Sequence, residues 1–483
     1  MIKHKFTRTL TAGALTLLAA GCSSDRLIVP DYQNPTSGQI SSDPLSAIQF
    51  LATGILRQDR DIIGGYISGT GILGRESYNY TPTEGRNHSG WVQTVNSKSF
   101  GGVALWAGPY VNLRNIFTFV QVVEGASDAT LSAAQKSAAL GFAHTYEAWM
   151  LLYIINTRNE IGAVVEVQSD PRAISPFVSR DSVFNHIIGR LDQAYAELGT
   201  GGTAFPFAFD AGFTAPLAGA TGTSFTSVAN FRRVNRALAA RVNAYRASLG
   251  IAGCGAPRSA TCYATALTNL SQSFLSTTPA DITSLGVFRP FSTAANEVQN
   301  PLRSGVAAIV AHFKVDSGVQ SNGATRDLRF TRKITAFAGR NAAAPTIGVR
   351  TTFDHLQFTG AAAALPVLRN EELILLRAEA KWFTGDKAGA IADLDLVRTV
   401  SGGLAPYGAA GIAFTETQFI DALLYERRFS LFFEGHRWID LRRFGRLSQL
   451  PLDLASHQIV TNLPVPQAEC LIRGGDVPNN GCN

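Results

Sequence analysis

The sequence of 483 residues contains few charged residues: they make up 16% of the chain, whereas apolar residues make up 46%. Soluble domains usually carry a charged share of about 25%. Because so much apolar surface is available to offset the conformational entropy of the chain, intrinsic disorder is excluded. The chain also lacks a long apolar run outside its N-terminal region, and that run is too short to cross a bilayer. A membrane channel is therefore not indicated.

Clusters of positive charge are also missing. The formal net charge is +6, but Lys3, Lys5 and Arg8 lie in a segment that we expect to be removed, which leaves about +3 on the mature chain. The remaining Lys and Arg residues are scattered, whereas a nucleic-acid-binding surface gathers them in one place. We predict no nucleic-acid partner.

The common sequence signatures of catalysis are absent. The eight histidines never occur at HxxxH or HExxH spacing, and there is no GxSxG, phosphate-binding loop or HRD motif. Residues 69–74 match GxGxxG, but the RESYNY stretch that follows favours a turn-rich loop over the helix of a dinucleotide site. We predict no catalytic residue, no cofactor and no metal site.

A dense group of carboxylates near the C-terminus suggests an alternative, a secreted all-α glycoside hydrolase, because glycoside hydrolysis needs two positioned carboxyl groups. Arginines are interleaved with these carboxylates, and Arg437 and Asp440 stand at i, i+3 spacing, where they are able to pair. Pairing lowers the pKa of a carboxyl group and makes it a poor general acid. We therefore expect structural ion pairs rather than catalysis. The carboxylates are Glu371, Glu372, Glu379, Asp386, Glu426, Glu434 and Asp440.

The N-terminal residues have the pattern of an export signal. Residues 1–21 combine a positive start with an apolar stretch, and the ending LAAG before Cys22 resembles a bacterial lipobox, whose cysteine is acylated. Leu18 stands four positions before the cysteine instead of the usual three. We predict a signal peptide (1–21) and a lipidated tether (22–42) anchored in outer-membrane lipid, since three acyl chains anchor a protein stably. An ordinary signal peptide that ends near a cysteine is the alternative.

The other four cysteines form two close pairs in the sequence. In an exported chain, an even number of cysteines indicates disulfides, and the spacing favours Cys254–Cys262 and Cys470–Cys482 among three possible connectivities. The alternative is a zinc site, but neither pair has the CxxC spacing or a nearby histidine that zinc ligation requires.

Helical periodicity dominates both ends of the chain. Several helix pairs of about 30 residues resemble the ~34-residue tetratricopeptide unit in their architecture. We predict a mainly α fold, a tetratricopeptide-like superhelix of helical hairpins with long irregular loop excursions and few short strands. Helices are predicted around residues 43–55, 106–124, 139–153, 183–198, 234–249, 373–383, 391–397 and 420–431, the last stopped by Gly435, and loop excursions at 60–105, 199–229 and 277–366, the third with a short strand at 326–337.

Aromatic residues of the first excursion are the candidate binding residues. Tyr66, Tyr78, Tyr80 and Trp91 are interspersed with polar residues such as Asn87. Sugar rings present apolar C–H faces, so aromatic rings surrounded by hydrogen-bonding groups suit an oligosaccharide. The alternative is that these rings anchor a long loop to the scaffold, since exposure cannot be read from a sequence.

The C-terminal third carries the pattern of a known family. RNEELILLRAEA at 369–380, and ERR at 426–428 followed by FEGHRWIDLRR at 433–443, resemble the SusD/RagB family of outer-membrane nutrient-uptake lipoproteins. LPVP at 463–466 is similar to the closing segment of that family. With looser agreement in the N-terminal part, the resemblance covers nearly the whole mature chain.

The resemblance implies one SusD-like domain over residues 43–483, with an N-terminal part at about 43–250 and a C-terminal part at about 277–483. It implies a surface lipoprotein that captures oligosaccharides and passes them to a TonB-dependent, SusC-like outer-membrane transporter, without catalysis. It also implies that the residues at 426–443 belong to the scaffold. Two alternatives to this function remain open: uptake of peptides or another polymer, and a helical-repeat lipoprotein that assembles the envelope.

Overall fold

Helices joined by long irregular segments make up most of the described chain. The computed structural model describes residues 43–81, 84–103, 105–170, 172–214, 224–303, 309–336, 342–343 and 348–483. The predicted signal peptide and the whole of the predicted tether, including Cys22, lie outside these residues. Within the described ranges, no helix combines the length and the apolar character needed to cross a membrane.

The helices are α1 (Pro44–Leu73), α2 (Arg86–Val92), α3 (Phe100–Val103), α4 (Ala107–Gly125), α5 (Ala133–Arg158), α6 (Arg180–Thr200), α7 (Ala211–Thr214), α8 (Val228–Leu249), α9 (Ala260–Ser271), α10 (Pro279–Ser284), α11 (Leu328–Lys333), α12 (Asn370–Phe383), α13 (Lys387–Val400), α14 (Gly408–Ile412), α15 (Glu416–Ser430), α16 (Arg437–Arg443) and α17 (Gln467–Ile472). The strands are β1 (Ser77–Asn79), β2 (Gly286–Arg289), β3 (Ile309–Ala311), β4 (Ser321–Asn322), β5 (Thr325–Arg326), β6 (Ile334–Ala336), β7 (Ala342–Ala343), β8 (Arg350–Thr351), β9 (Phe353–His355) and β10 (Leu365–Arg369).

Local sequence fixes the ends of the main helices. At the start of α5, the side chain of Ser132 accepts a hydrogen bond from the backbone of Gln135, whose side chain accepts one from the backbone of Ser132. Such a capping box satisfies two backbone donors that would otherwise lack partners. Helix α8 ends at Gly250 with a left-handed φ of 67°, a conformation that glycine adopts without steric cost. These signals set where each helix begins and ends.

Consecutive helices pack against each other as helical hairpins. Helix α5 packs on α6, α8 on α9, and α12 on α13. Their inner faces form one continuous hydrophobic core that includes Trp149 and Trp438, both fully buried. The mainly α, helical-hairpin fold predicted from the periodicity is confirmed. Residues Ile48–Asn483 form one compact unit, whereas a division between about 250 and 277 stays a prediction.

The strands are short and pair two by two. The described sheets are the antiparallel pairs β1–β3, β2–β10, β4–β5, β6–β9 and β7–β8. In the first of them, Tyr78 lies opposite Val310, so the first excursion is tied to the third. The strand predicted at 326–337 is wrong in extent, because residues 328–333 form α11 between β5 and β6.

The first excursion begins later than the sequence indicates. Helix α1 continues to Leu73 and includes most of the GxGxxG stretch, which was predicted as a loop. Glycine weakens a helix by about 1 kcal/mol, but here glycines let large rings approach the backbone. The ring of Trp91 lies against Gly69 and the ring of Phe433 against Gly71, each where a Cβ would stand. Tertiary packing therefore overrides the low helix propensity of the segment.

The end of α15 also differs from the prediction. The helix ends at Ser430, whereas Gly435 was expected to stop it. Gly435 instead turns the chain with a φ of 88° just before α16. A Cβ at this position would meet the ring of Tyr66, so glycine is required for both the backbone conformation and the close approach.

The C-terminal carboxylates form buried ion pairs, as predicted. Glu379 accepts from Arg443 at 2.7 Å and from the hydroxyl of Tyr263 at 2.8 Å. Asp440 pairs with Arg427 at 2.7 Å and with Arg443 at 2.9 Å; Arg437, the predicted partner, makes no ion pair with it within the described residues. Burial opposes the charge of Asp440, but the two arginines outweigh it and lower the pKa of this carboxyl group.

Four more of these carboxylates are buried next to cations. Glu372 pairs with Arg241, Glu371 with Arg369, Glu426 with Arg329 and Arg398, and Glu434 with Arg369 and Lys333. Asp386 differs, because it caps α13 by accepting from the backbone of Gly389 at 2.8 Å. With their charges compensated and their side chains out of solvent, the four paired groups lack the exposure of a general acid.

The four described cysteines form two disulfides. Cys254 is bonded to Cys262 with a Cα–Cα distance of 5.2 Å, and Cys470 to Cys482 with a distance of 5.7 Å. Both distances fall in the normal range for a disulfide. This is the local pairing that the sequence favours over zinc ligation.

Because the ion pairs of Arg443 are buried, we expect its replacement to lower the stability of the protein strongly. In an Arg443→Met variant, Glu379 and Asp440 each lose a cation in the core, and we expect the free energy of unfolding to fall by about 3–5 kcal/mol. Urea denaturation followed by circular dichroism measures the change. The matched control is Arg258→Met, which breaks an exposed pair with Glu416 and should cost less than about 1 kcal/mol. Equal effects of the two changes would contradict the assignment of the buried pairs as structural.

Glu76 predicts a specific pH dependence. Its Oε1 accepts from the backbone of Phe433 at 3.0 Å, while its Oε2 is buried with no hydrogen-bond donor within the described residues. Burial raises the pKa of Glu76 to about 7. The unfolded chain releases this proton near pH 4.5, so the stabilisation is present below that pH and is lost as the pH rises towards 7.

We therefore expect the stability of the protein relative to a Glu76→Gln variant to fall by up to about 3 kcal/mol between pH 4.5 and 7.5. Urea midpoints of the two proteins, measured across this range, test the expectation. A difference that does not change with pH would show that Glu76 is ionised in the folded protein.

Candidate functional site

A cavity of about 450 Å³ opens beside α1, α2 and the start of α4. We call it the Trp91 cavity. It is lined by Gln58, Asp61, Ile62, Gly65, Ser68, Ile72, Asn79, Asn87, Trp91, Phe100, Val103, Leu105, Gly108 and Pro109. Its volume lies within the usual range of small-molecule sites.

One face of α1 supplies the first wall. Gln58, Asp61, Gly65, Ser68 and Ile72 line the cavity and recur every three or four residues, the spacing that places side chains on one face of a helix. These residues were not among the predicted binding residues, because residues 60–105 were expected to form a loop. Their helical spacing was the signal that could have revealed them.

Helix α2 supplies the second wall and the floor. Asn87 and Trp91 are one turn apart and both line the cavity. The Trp91 ring is only 8% exposed because it is held between Gly69 of α1 and Gly101 of α3. It contributes to the floor and does not project as a free platform. Asn87 is half-buried, and its side chain makes no hydrogen bond within the described residues, so its amide is available to a ligand.

The three predicted tyrosines do not line the cavity. Tyr66, Tyr78 and Tyr80 are 5%, 0% and 2% exposed. The ring of Tyr66 packs on Tyr153 at 4.6 Å, and its hydroxyl accepts from Asn156 at 3.0 Å. Because protein covers the ring faces, these three tyrosines cannot form the exposed stacking surface that the sequence suggested. They anchor the excursion to the core, which is the alternative stated above.

A buried histidine cluster supports α2 from the core side. The Nε2 atoms of His88 and His457 lie 3.0 Å apart, and the ring of Tyr78 contacts His88 and His312 at centroid distances of 4.5 and 4.8 Å. Asp453 accepts hydrogen bonds from Tyr78 and His312, both at 2.7 Å. Burial lowers the pKa of His88 to about 4, so its ring is uncharged at neutral pH. The cluster thereby positions Asn87 and Trp91, its neighbours on α2.

In the part of the chain that the structure describes, no three or more His, Cys, Asp or Glu side chains are arranged to hold a metal ion. The Trp91 cavity itself offers amides from Gln58, Asn79 and Asn87, one carboxylate from Asp61, and the apolar surfaces of Trp91 and Phe100. Amides both donate and accept hydrogen bonds. This combination suits a neutral ligand that carries hydroxyl groups as well as apolar faces.

Solved structures share this fold over nearly the whole chain. Surface glycan-binding protein A from Bacteroides uniformis aligns with a TM-score of 0.65 at 15% identity, covering 90% of this chain and 99% of that one. A SusD superfamily protein from Parabacteroides distasonis aligns with a TM-score of 0.64 at 15% identity, covering 90% and 98%. B. fragilis NanU aligns with a TM-score of 0.62 at 14% identity, covering 92% and 98%. At such low identity, these likenesses show the fold.

The described chain is thus a scaffold of helical hairpins that contains a cavity large enough for a small-molecule ligand. Residues 316–467 match the SusD family, and this segment contains the ERR and FEGHRWIDLRR stretches on which the resemblance was based. The matched segment is about a third of the chain; it supports the resemblance to the SusD/RagB family over that segment, and the solved structures add the shared fold. No curated protein matches the chain in sequence.

The contact between Gly69 and Trp91 predicts that the cavity floor is sensitive to one methyl group. A Cβ at Gly69 would overlap the Trp91 ring, so Gly69→Ala should destabilise the protein by about 1–3 kcal/mol through overpacking. Gly54 lies in the same helix with open space around it, and Gly54→Ala should stabilise by up to about 1 kcal/mol. Thermal or urea denaturation of both variants tests this contrast. If Trp91→Phe did not relieve the cost of Gly69→Ala, the ring would not be the neighbour responsible.

Proposed function

We propose that this protein is a surface-exposed outer-membrane lipoprotein that binds nutrient oligosaccharides and delivers them to a TonB-dependent, SusC-like transporter, without catalysis. The observation that carries the proposal is the Trp91 cavity, where amides from α1, β1 and α2 surround apolar aromatic surface. Oligosaccharides need both kinds of contact, because each sugar ring has hydroxyl groups at its rim and C–H groups on its faces.

The match of residues 316–467 to the SusD family supports the proposal. A SusD-family chain is expected at the outer membrane, and the fold neighbour from B. uniformis is named as a surface glycan-binding protein. The lipobox-like sequence before Cys22 supports anchoring of the chain in the outer-membrane lipid. The proposed handover to a transporter barrel follows from the family and needs no group that performs chemistry.

The buried ion pairs favour binding over hydrolysis. The carboxylates that could have served a glycosidase are paired with arginine or lysine inside the scaffold, apart from Asp386, which caps a helix. The Trp91 cavity contains a single lining carboxylate, Asp61, whereas glycoside hydrolysis by the usual mechanisms needs a pair. A scaffold that faces the periplasm would be protected from protease added to intact cells, whereas the proposed surface protein would be cleaved.

A glycan and peptide array tests the ligand class with the lipid-free protein of residues 23–483. We expect specific binding of oligosaccharides. Asn87→Ala should weaken this binding about tenfold, because it removes an unpaired amide from the cavity wall. Asn115→Ala is the matched control, since Asn115 is a half-buried helical asparagine outside the cavity, and it should bind like the unchanged protein.

A variant that fills the Trp91 cavity tests the same binding site without depending on any one hydrogen bond. Gly65 is exposed in the cavity wall, and a Cβ there has only an ordinary contact with Leu105 at 3.7 Å. Gly65→Phe should therefore occupy the cavity and abolish binding, whereas Gly54→Phe in open space on the same helix should not. Binding of peptides alone would favour the peptide alternative. Glycan binding that survives Gly65→Phe would move the site away from the Trp91 cavity.

A further inference from the structure

A second cleft lies between α4, α5 and α6, separate from the Trp91 cavity. Its volume is about 510 Å³. We call it the His144 cleft, after the histidine of α5 that lines it. Ile116, Phe117 and Val120 of α4 form an apolar wall, and His186 and Arg190 of α6 form a polar wall opposite.

Hydrogen bonds hold the polar side of the cleft rigidly. His144 bonds through Nδ1 to Glu197 at 2.8 Å, and His186 through Nε2 to Glu147 at 2.9 Å. Arg190 donates to the same Oε1 of Glu147 at 3.0 Å. Burial opposes ionisation of Glu147, but His186 and Arg190 outweigh it, so the pKa of this carboxyl group is lowered and the group is charged.

These bonds fix which atoms remain free. A carboxylate only accepts, so Nδ1 of His144 carries the proton that is donated to Glu197. In the neutral tautomer that this bond selects, Nε2 of His144 is an acceptor, and it has no hydrogen-bond partner within the described residues. The His144 side chain is only 9% exposed and it lines the cleft, so this unpaired nitrogen faces the cavity.

The same reasoning applies to the neighbouring groups. In the neutral tautomer of His186 that donates from Nε2 to Glu147, Nδ1 is likewise an acceptor. Oε2 of Glu147 receives no hydrogen bond from the described residues, since both donors reach Oε1. These two ring nitrogens and Oε2 of Glu147 thus have no hydrogen-bond donor within the described residues, and a ligand rich in N–H or O–H groups would satisfy them.

The net charge of the lining selects among such ligands. Glu124, Glu147 and Glu166 line the cleft with Arg190 as the only lining Lys or Arg in the part of the chain described, which leaves an excess of negative charge. Arg190 already donates hydrogen bonds to Glu147 and to the side chain of Gln193, the second at 2.8 Å. The field in the cleft therefore attracts cations, while the apolar wall on α4 offers contact to hydrocarbon.

We propose that the His144 cleft is a second binding site, which takes a small organic cation with an apolar stem, such as an alkylguanidinium or alkylammonium group. The cationic head pairs with Oε2 of Glu147 and donates to Nε2 of His144. The stem lies against Ile116, Phe117 and Val120. This site does not depend on the proposed uptake of oligosaccharides.

Isothermal titration of the purified full chain with butylguanidinium and with butylurea tests the proposal. The two probes have nearly the same shape, but only butylguanidinium is charged. We expect butylguanidinium to bind at least tenfold more tightly, and its affinity to fall as the salt concentration rises. Equal affinity for the two probes, or no binding of butylguanidinium, would overturn the proposal.

Two variants locate the binding. Glu147→Gln should weaken butylguanidinium binding at least tenfold, whereas Glu160→Gln, at an exposed glutamate outside the cleft, should leave it unchanged. Because Glu147 also holds two neighbours in place, Val120→Trp provides an independent check: Val120 is half-buried on the apolar wall, and a larger side chain there fills the cleft. Unchanged binding in Val120→Trp would place the cation elsewhere and refute the site.

Discussion

The buried pairing of arginines with carboxylates is the constraint on which the rest of the structure depends. Arg241 joins α8 to Glu372 of α12, and Arg443 joins α16 to Glu379, about two turns further along the same helix. An unpaired ion in the core destabilises the fold by several kcal/mol. A helix that slides or rotates therefore costs far more free energy here than it would in an apolar core. The helices therefore have one register in which every charge is compensated, and this specifies the scaffold.

Phe433 and Gly435 connect the ion-paired scaffold to the helix that lines the Trp91 cavity. Both lie beside Glu434, whose pairing with Arg369 fixes the local backbone. The ring of Phe433 stacks on His355 with a centroid distance of 4.1 Å and lies against Gly71 of α1. Gly435 allows the close approach of Tyr66 from the same helix. One face of α1 is thus held by the ion-paired region, while another face lines the cavity.

Periodicity was enough to predict the helical hairpins because it depends on local spacing. The interleaved charges predicted ion pairing but not the partners, since pairs such as Arg241–Glu372 join residues far apart in the sequence. The extension of α1 to Leu73 could not be predicted, because its glycines are favourable only when Trp91 and Phe433 fill the space that they leave. The five candidate binding residues are divided between the cavity and the core, and their role in binding stays a prediction. Asn87 and Trp91 line the cavity, but Tyr66, Tyr78 and Tyr80 belong to the core. Aromatic residues suit both places equally, and only the fold decides between them.

Helix α4 separates two cavities of opposite character, and this contrast follows from which elements face it. Near Pro109, at its N-terminal end, α4 meets α1 and α2, whose lining side chains are mostly amides or small residues, and the cavity there has a balanced set of donors and acceptors. One turn further on, from Leu113, it meets α5 and α6, whose histidines have already donated to Glu147 and Glu197. The lining carboxylates of Glu124, Glu147 and Glu166 outnumber Arg190, so the described lining of the cleft has an excess of negative charge. A cavity lined mainly by amides suits neutral polyols, whereas one with an excess of carboxylates suits cations. The two sites can therefore differ in ligand class although they share a helix.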